Sequence, residues 1–582
     1  MGKTIMTRVK CYGVIVCSLA VWASLGATLS IDTNVRYQMI EGWGTCLAWW
    51  DTVNTPYYQT VWRQAYRNLG CNILRVALSK SALVHPSGNY ATPVVLSDNL
   101  QANISLFDFN RGDVRVFGDF ARWLRANALE PNRVKIVGSV WSPPHWMKGP
   151  TGMSQYHVSN PNVLKPTPWL AHDTWGDSIG GRLLQDSTNL TQFGRYLAAW
   201  IKGFEQRYTV SFYAVSLQNE VSFENPFDSC TYEQGPGTPG SPGPREQWWQ
   251  YASALKAVKD AFARYGVNVK IKGPHCAGVK DTPASPWELH QQMNYILAVK
   301  QHSDPELIDR LDIYGSNGYM DSTPDAVRNL AAYWRGRDNV PGNWAWWLYA
   351  PGVMFDNKPT WFSESCGEEA TWLAGSGGTP GNGALVLAQR MHNALVHANV
   401  SAYLYWQMSD SSSAENDYIL LGKNNLANPH ASKKYCAYKH FSRYVRPGAR
   451  RVRAVFENGL TSIGADSEYN TYASLNASAY VHDEDLTLTI VLVNMRATAQ
   501  SVTVVLPPYP AIGAYQVYRT KNDENFAQQP DLVPSNGRMS LTVPGYSVVT
   551  LYGFVPEPNA IGLILTAVLA WRAGKNGSLA CR

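Results

Sequence analysis

Two glutamates each close a short apolar run: Glu220 in Phe212-Tyr-Ala-Val-Ser-Leu-Gln-Asn-Glu220, and Glu364 in Pro359-Thr-Trp-Phe-Ser-Glu364. A carboxylate at the C-terminal end of a buried parallel strand points into the mouth of a (β/α) barrel, where such folds do their chemistry. Two carboxylates facing one another are the minimum equipment for cleaving a glycosidic bond. Glu220 suits the general acid, a role that partial burial and nearby negative charge favour. Asn219 beside it suits a hydrogen bond to a sugar 2-hydroxyl. Glu364 suits the nucleophile. Glu368 and Glu369 are its alternatives, but they fall in the following loop while Glu364 ends the run itself. Arg75, closing Cys71-Asn-Ile-Leu-Arg75, would set a cation near Glu364 and keep it ionised; the competing reading is a surface ion pair. Tyr319, in Ser316-Asn-Gly-Tyr319, could orient Glu364 through a hydrogen bond. Trp141 and Trp406 could form stacking walls, or be core rings.

Positioning these groups requires a repeating scaffold. Between Gly42 and about Ser432, short apolar runs alternate with longer amphipathic ones, the grammar of parallel βα units. The spacing predicts strands over Met39–Gly44, Ile73–Leu78, Val134–Val140, Phe212–Leu217, Val269–Lys272, Leu311–Ser316, Thr360–Ser363 and Ala402–Trp406. Helices are predicted over Tyr57–Leu69, Val114–Ala126, Leu190–Tyr208, Gln247–Tyr265, Trp287–Gln301, Pro324–Gly336 and Leu385–His397. Phe193, Tyr196, Leu197, Trp200, Ile201 and Phe204 form the 3.6-residue stripe of a helix packed on a sheet. Eight such units make an α/β fold, a (β/α)8 TIM barrel over 39–432 with Glu220 on its fourth strand and Glu364 on its seventh. The Pro/Gly-rich loop Gly235–Pro244 is expected at the active-site rim. Beyond Val445-Arg-Pro-Gly448 the pattern changes to alternating β-branched runs: Ser474–His482, Leu486–Asn494, Ser501–Leu506, Ala514–Thr520 and Ser540–Tyr552. These predict a C-terminal antiparallel β-sandwich side domain over 445–553, with 28–38 supplying a further strand.

At 582 residues the chain suits one large and one smaller domain, and 45% hydrophobic with 16% charged residues suits packed globular domains rather than a disordered chain. The net charge of +6 is dispersed, and the densest basic cluster, Ala449-Arg-Arg-Val-Arg-Ala454, reads as a solvated face, so no nucleic-acid partner is expected. The 22 Trp and 32 Tyr supply flat apolar faces of the kind that stack on sugars. The histidines form no HExxH or HxH pattern, so neither metal nor other cofactor is expected. Cys46, Cys71, Cys230, Cys276, Cys366 and Cys436 are widely spaced without a CxxC pair. Residues 1–27 carry a basic start, an apolar stretch and small residues, the layout of a secretory signal peptide. At the other end, Val555-Pro-Glu-Pro558 precedes an apolar segment and then Arg572 and Lys575. This tail, 555–582, resembles the PEP-CTERM sorting signal of Gram-negative bacteria. The resemblance implies export, transient membrane association and processing by an exosortase-type enzyme, leaving the protein extracellular or at the cell surface.

Gly42-Trp-Gly44, Leu74-Arg75-Val76, Trp141-Ser-Pro-Pro-His-Trp-Met-Lys148, Gln218-Asn-Glu220, Trp361-Phe-Ser-Glu364, Tyr405-Trp406 and Phe441-Ser-Arg-Tyr-Val-Arg-Pro-Gly448 follow in order. Together they resemble glycoside hydrolase family 30, over roughly residues 38 to 552. The Trp-rich opening Gly42–Trp50 is similar to the branch with fungal endo-β-1,6-galactanases. The resemblance implies a retaining enzyme in which Glu220 is the acid/base and Glu364 the nucleophile. Asn219, Arg75, Trp141, Tyr319, Trp406 and Trp43 then form the expected substrate-binding set, and a β-linked glycan is the expected partner. The loop 235–244 with Cys230 nearby departs from the family pattern where substrate subsites are shaped. Glucosylceramidase, β-1,6-glucanase and xylanase activities of the same family remain open, as does a non-catalytic exopolysaccharide-binding matrix protein.

Overall fold

A computed structural model describes residues 26–47, 56–88, 92–149, 156–157, 160–164, 181–221, 229–232, 246–276, 291–318, 356–396, 398–410, 415–463 and 474–555. The signal-peptide segment, the sorting tail after Val555, the loop 235–244, the helix expected over 324–336 and Tyr319 lie outside these residues.

Eight parallel strands close into a barrel: Gly42–Leu47, Ile73–Ala77, Lys135–Ser139, Ala214–Ser216, Lys270–Pro274, Ile313–Asn317, Thr360–Glu364 and Ala402–Tyr405. They are called barrel strands one to eight below. Strand eight pairs with strand one, Ala402 opposite Gly42, so no edge is left exposed. Side chains alternate between two environments. Ile73, Val137, Ala214, Ile313, Trp361, Ala402 and Leu404 fill the interior, while their neighbours Leu74, Ile136, Val215 and Tyr403 pack outward against the helical layer. The barrel floor is sealed by Trp361 stacked 5.9 Å from Tyr213 at an interplanar angle of 5°. Glu41 ties that floor together, accepting from Tyr213 Oη at 2.8 Å and from Trp361 Nε1 at 3.3 Å.

The helix Ser187–Tyr208 shows how the outer layer forms. Asp186 caps its first turn, accepting from the Asn189 N–H at 2.9 Å. Thr209, in the left-handed region at φ 57°, ends it. Its apolar stripe is buried, with Trp200 edge-on to Phe109 and stacked on Phe204. Gly203 lets Phe109 approach, since a Cβ there would lie 2.2 Å from the ring. A helix absent from the sequence reading, Lys433–Ser442, packs beside Ala384–Val396 at the junction of barrel and side domain.

The side domain is one ten-stranded, mostly antiparallel sheet. The N-terminal strand Ala27–Met39 lies inside it, antiparallel to Arg450–Phe456 and parallel to Gln500–Val505. Strands Leu475–His482 and Thr487–Asn494 are buried on both faces. Ala477, Leu488, Ile490 and Leu492 join the side-domain core, while Tyr480, Val491 and Val493 join the barrel's. The domains therefore share a dry face. Three expectations need correction. Ser540–Tyr552 is two strands, Arg538–Val543 and Ser547–Phe554, because Pro544-Gly545-Tyr546 turns the chain between them. Glu524–Leu532 is an additional strand at the sheet edge, where Pro530 needs no partner for the N–H it lacks. The cluster at 449–454 is a strand that exposes Arg450 and Arg453, as a solvated face does, but not Arg451. Arg451 is buried there, its guanidinium 3.7 Å from the Tyr37 ring centroid and its Nε 2.9 Å from Gln38 Oε1.

Candidate active site

The C-terminal ends of the barrel strands converge on one guanidinium. Arg75, from strand two, has no exposed surface. Its Nε donates to Ser139 Oγ of strand three at 3.1 Å, and Nη2 donates to Asn219 Oδ1, just after strand four, at 2.5 Å. Nη1 donates to the Glu364 carboxylate, to the Ser363 carbonyl at 3.3 Å and to Cys46 Sγ of strand one at 3.3 Å. The guanidinium carbon lies 4.6 Å from the Trp141 ring centroid. Only arginine's fork of donors can address so many strands at once. Burial opposes its charge, but Cys46 and Glu364 outweigh that and raise its pKa above the ordinary arginine value. Burial itself pushes the Cys46 thiol up to about 12. The Cys46 sulfur accepts from Nη1, and Glu364 forms the ion pair with it.

Glu364 is the last residue of strand seven, 5% exposed. The register with strand six slips just there, between Ser316 and Asn317, which re-aims the strand end. Glu220 is 9% exposed and sits in the left-handed region at φ 54°. One of its oxygens accepts from Asn317 Nδ2, at the end of strand six, at 3.1 Å. A backbone strained in this way at a buried carboxylate is the kind of feature that marks functional sites. Trp141, 6% exposed, and the half-buried Trp406 meet with ring centroids 5.9 Å apart, forming an aromatic wall over Arg75.

The structure thus brings Arg75, Trp141, Asn219, Glu220, Glu364 and Trp406 together. It places two expected residues elsewhere or leaves them out. Trp43 is a correction: it is fully buried on the outer side of strand one, against Tyr438 and Phe441, with Nε1 donating to the Val445 carbonyl at 2.6 Å. Strand one presents Gly42, Gly44 and Cys46 on the alternate face, so the Trp43 ring can reach no substrate. Tyr319 lies outside the described residues. The alternatives to Glu364 are also separated from the site. Glu368 is buried behind the barrel wall, paired with Arg390 and accepting from Tyr405 Oη at 3.1 Å, and Glu369 is exposed.

Sequence reasoning missed Lys272, His275 and Asn317. Lys272 is fully buried inside the barrel, its Nζ donating to Ser363 Oγ at 2.6 Å. Burial first, then the charge of Arg75, pushes its pKa well below the ordinary lysine value. Gly315 makes room for it, because a Cβ there would sit 2.7 Å from Lys272 Cγ. A lysine in phase with the inward positions of a barrel strand was the available signal. His275 follows strand five at φ 77°, fully buried, with Nδ1 3.2 Å from the Gln218 carbonyl. Asn317 stands inside a motif noted only for its tyrosine.

No family model matches the chain. Among solved structures it is similar to a GH30 endoxylanase from Clostridium papyrosolvens, at 19% identity and TM-score 0.57, with 91% of this chain and 100% of that one covered. The catalytic domain of a GH30 xylanase from Talaromyces cellulolyticus gives 18% identity and TM-score 0.60, with 91% and 100% covered. An endo-β-1,6-glucanase gives 15% identity and TM-score 0.56, with 91% and 94% covered. The shared property is the architecture. It is a closed parallel eight-strand barrel with an attached, mostly antiparallel β domain.

Proposed function

We propose that the chain is a retaining β-glycosidase of the family 30 type, acting on a β-linked polysaccharide. The observation that carries this reading is the bridge through Arg75. One buried cation binds the carboxylate ending strand seven and the asparagine preceding the carboxylate after strand four. In the proposed cycle Glu364 attacks the anomeric carbon, and its C–O bond forms as the glycosidic C–O bond breaks. Glu220 gives its proton to the departing oxygen. Glu220, now ionised, then takes a proton from water, which displaces Glu364 and leaves the anomeric configuration unchanged. Arg75 keeps a positive charge beside the attacking carboxylate, Asn219 faces the sugar 2-hydroxyl, and Trp141 with Trp406 stacks on the ring.

An endo-β-1,6-galactanase-like preference is the finer proposal. The Trp-rich opening of the barrel and an endo-β-1,6-glucanase among proteins of similar architecture support it; the xylanases favour the alternative of a xylan. Export, with processing of the 555–582 tail by an exosortase-type enzyme and transient membrane association, is proposed from the two end segments of the sequence. The test is a screen of β-1,6-galactan, β-1,6-glucan, xylan and aryl β-glycosides, with product anomers followed by NMR. The expected first product of a β-linked substrate is the β-anomer. An initial α-anomer refutes retention, and glycan binding without hydrolysis of any substrate favours the matrix-protein alternative.

A further inference from the structure

Behind Glu220 lie two buried polar atoms without a partner at bonding geometry, His275 Nε2 and Asn317 Oδ1. They belong to side chains on neighbouring strand ends. The His275 N–H donates to the Gly315 carbonyl at 2.9 Å and the Asn317 N–H to the Cys276 carbonyl at 2.9 Å. The Asn317 side chain acts on the His275 ring as a hydrogen-bonding neighbour. The ring's other nitrogen faces the Gln218 carbonyl, which can only accept, so the proton of the neutral ring sits on Nδ1. Nε2 is then an acceptor. Burial first, then Lys272 and Arg75, keeps the pKa of the ring well below the ordinary histidine value, so it carries one proton.

Two acceptors, Nε2 and Oδ1, are therefore left unpaired on neighbouring side chains while Asn317 Nδ2 donates to Glu220. That orientation suits an ionised Glu220 and leaves both acceptors unpaired. Turning the amide by half a revolution about its Cβ–Cγ bond reverses the pattern. Nδ2 then donates to His275 Nε2, and Oδ1 meets Glu220, where it can accept only from a protonated carboxyl. This second orientation pairs both buried atoms, and leaving such atoms unpaired carries a desolvation penalty.

We propose that His275 is a positioning residue which, through the Asn317 amide, favours the protonated form of Glu220, and that the amide turns over as Glu220 passes from acid to base. This rests on the acid/base reading of Glu220 above. Among the described residues, the charged groups bearing on the pair are Arg75 from strand two, Lys272 from strand five and Glu364 from strand seven. Strands three and eight bring the uncharged Trp141 and Trp406. The positive φ of His275 also limits what can replace it, with asparagine the best tolerated non-glycine residue.

The experiment measures kcat/KM against pH for a phenyl β-glycoside, whose poor leaving group needs the acid. His275→Asn keeps a donor for the Gln218 carbonyl and removes the Nε2 acceptor. It is expected to move the basic limb down by about one pH unit, a roughly tenfold loss above the limb. The loss should be smaller for a dinitrophenyl glycoside. Asn317→Ala, which also removes the Nδ2 donor to ionised Glu220, is expected to move the limb down less, the double variant no further than Asn317→Ala alone, and His275→Gln, which restores an acceptor near Nε2, to give a partial return. An unmoved basic limb in both single variants overturns the inference, as does an additive double variant. Glu220→Ala separates the two levels. Cleavage of the dinitrophenyl glycoside with azide rescue to a β-glycosyl azide supports the acid/base reading by itself. Its failure overturns that reading and the inference with it.

Discussion

Replacing Arg75 by methionine is the most informative single change. The side chain is fully buried and makes five hydrogen bonds, to Ser139, Asn219, Cys46, Ser363 and Glu364. Methionine fills much of the volume but abandons the Glu364 carboxylate in a site 5% exposed and leaves Asn219 Oδ1 without its donor. Removing one partner of a buried ion pair costs about 3–5 kcal/mol. At about 2 °C per kcal/mol for a large domain, thermal unfolding should fall by roughly 6–10 °C. Activity should fall further, because Glu364 and Asn219, the residue before Glu220, lose their common anchor. A loss of at least ~100-fold in kcat/KM is expected from misplacement alone. The assay is a double-mutant cycle with Glu364→Gln, read by thermal unfolding. The two changes should couple by ~1–3 kcal/mol, the double variant being more stable than the sum implies. An Arg75→Met variant destabilised by less than ~1 kcal/mol, with additive effects, would refute the buried bridge.

Other outcomes follow from the same structure. Glu368→Gln should keep activity while lowering stability by ~1–3 kcal/mol through its pairing with Arg390, whereas Glu364→Gln should lose ~1,000-fold or more in kcat; the reverse pattern would move the nucleophile. Trp43→Ala should cost about 3–5 kcal/mol in unfolding free energy yet leave KM unchanged in the folded fraction, and a raised KM would return Trp43 to the substrate site. His440 is fully buried between the Thr550 and Thr520 hydroxyls, and burial, then Lys439, pushes its pKa down from 6.5 to about 3. Below about pH 6.5 the unfolded chain binds the extra proton, so stability should fall as the pH drops toward 3, by up to about 1.4 kcal/mol per pH unit. Urea unfolding of His440→Gln should show a correspondingly shallower acid slope, and parallel slopes would exclude the effect.

The barrel was legible because its strands are short apolar runs separated by strongly periodic helices, and periodicity survives without tertiary context. The side sheet was less so. Glu524–Leu532 has a polar, exposed pattern with a proline, because an edge strand needs only one neighbour. The 449–454 segment reads as charge, because nothing local reveals that Gln38, Asn399 and Tyr37 receive Arg451. At the site, strand-end position was visible for Glu220 and Glu364, while inside-or-outside was not. Trp43 and Arg75 both lie in barrel strands, and only the strand phase sends one outward and the other into the mouth. Lys272 and His275 depend on partners far along the chain, Ser363 for the first and Asn317 for the second.

The central claim is that Glu364 forms a covalent bond to the sugar. Incubation with 2-deoxy-2-fluoro glycosyl fluorides of the galacto, gluco and xylo series, followed by peptide mapping in a mass spectrometer, tests it directly. One fluoroglycosyl adduct is expected on the peptide containing Glu364, absent from Glu364→Gln. An adduct on another carboxylate, or turnover of a β-glycan with inverted product and no adduct, would contradict it.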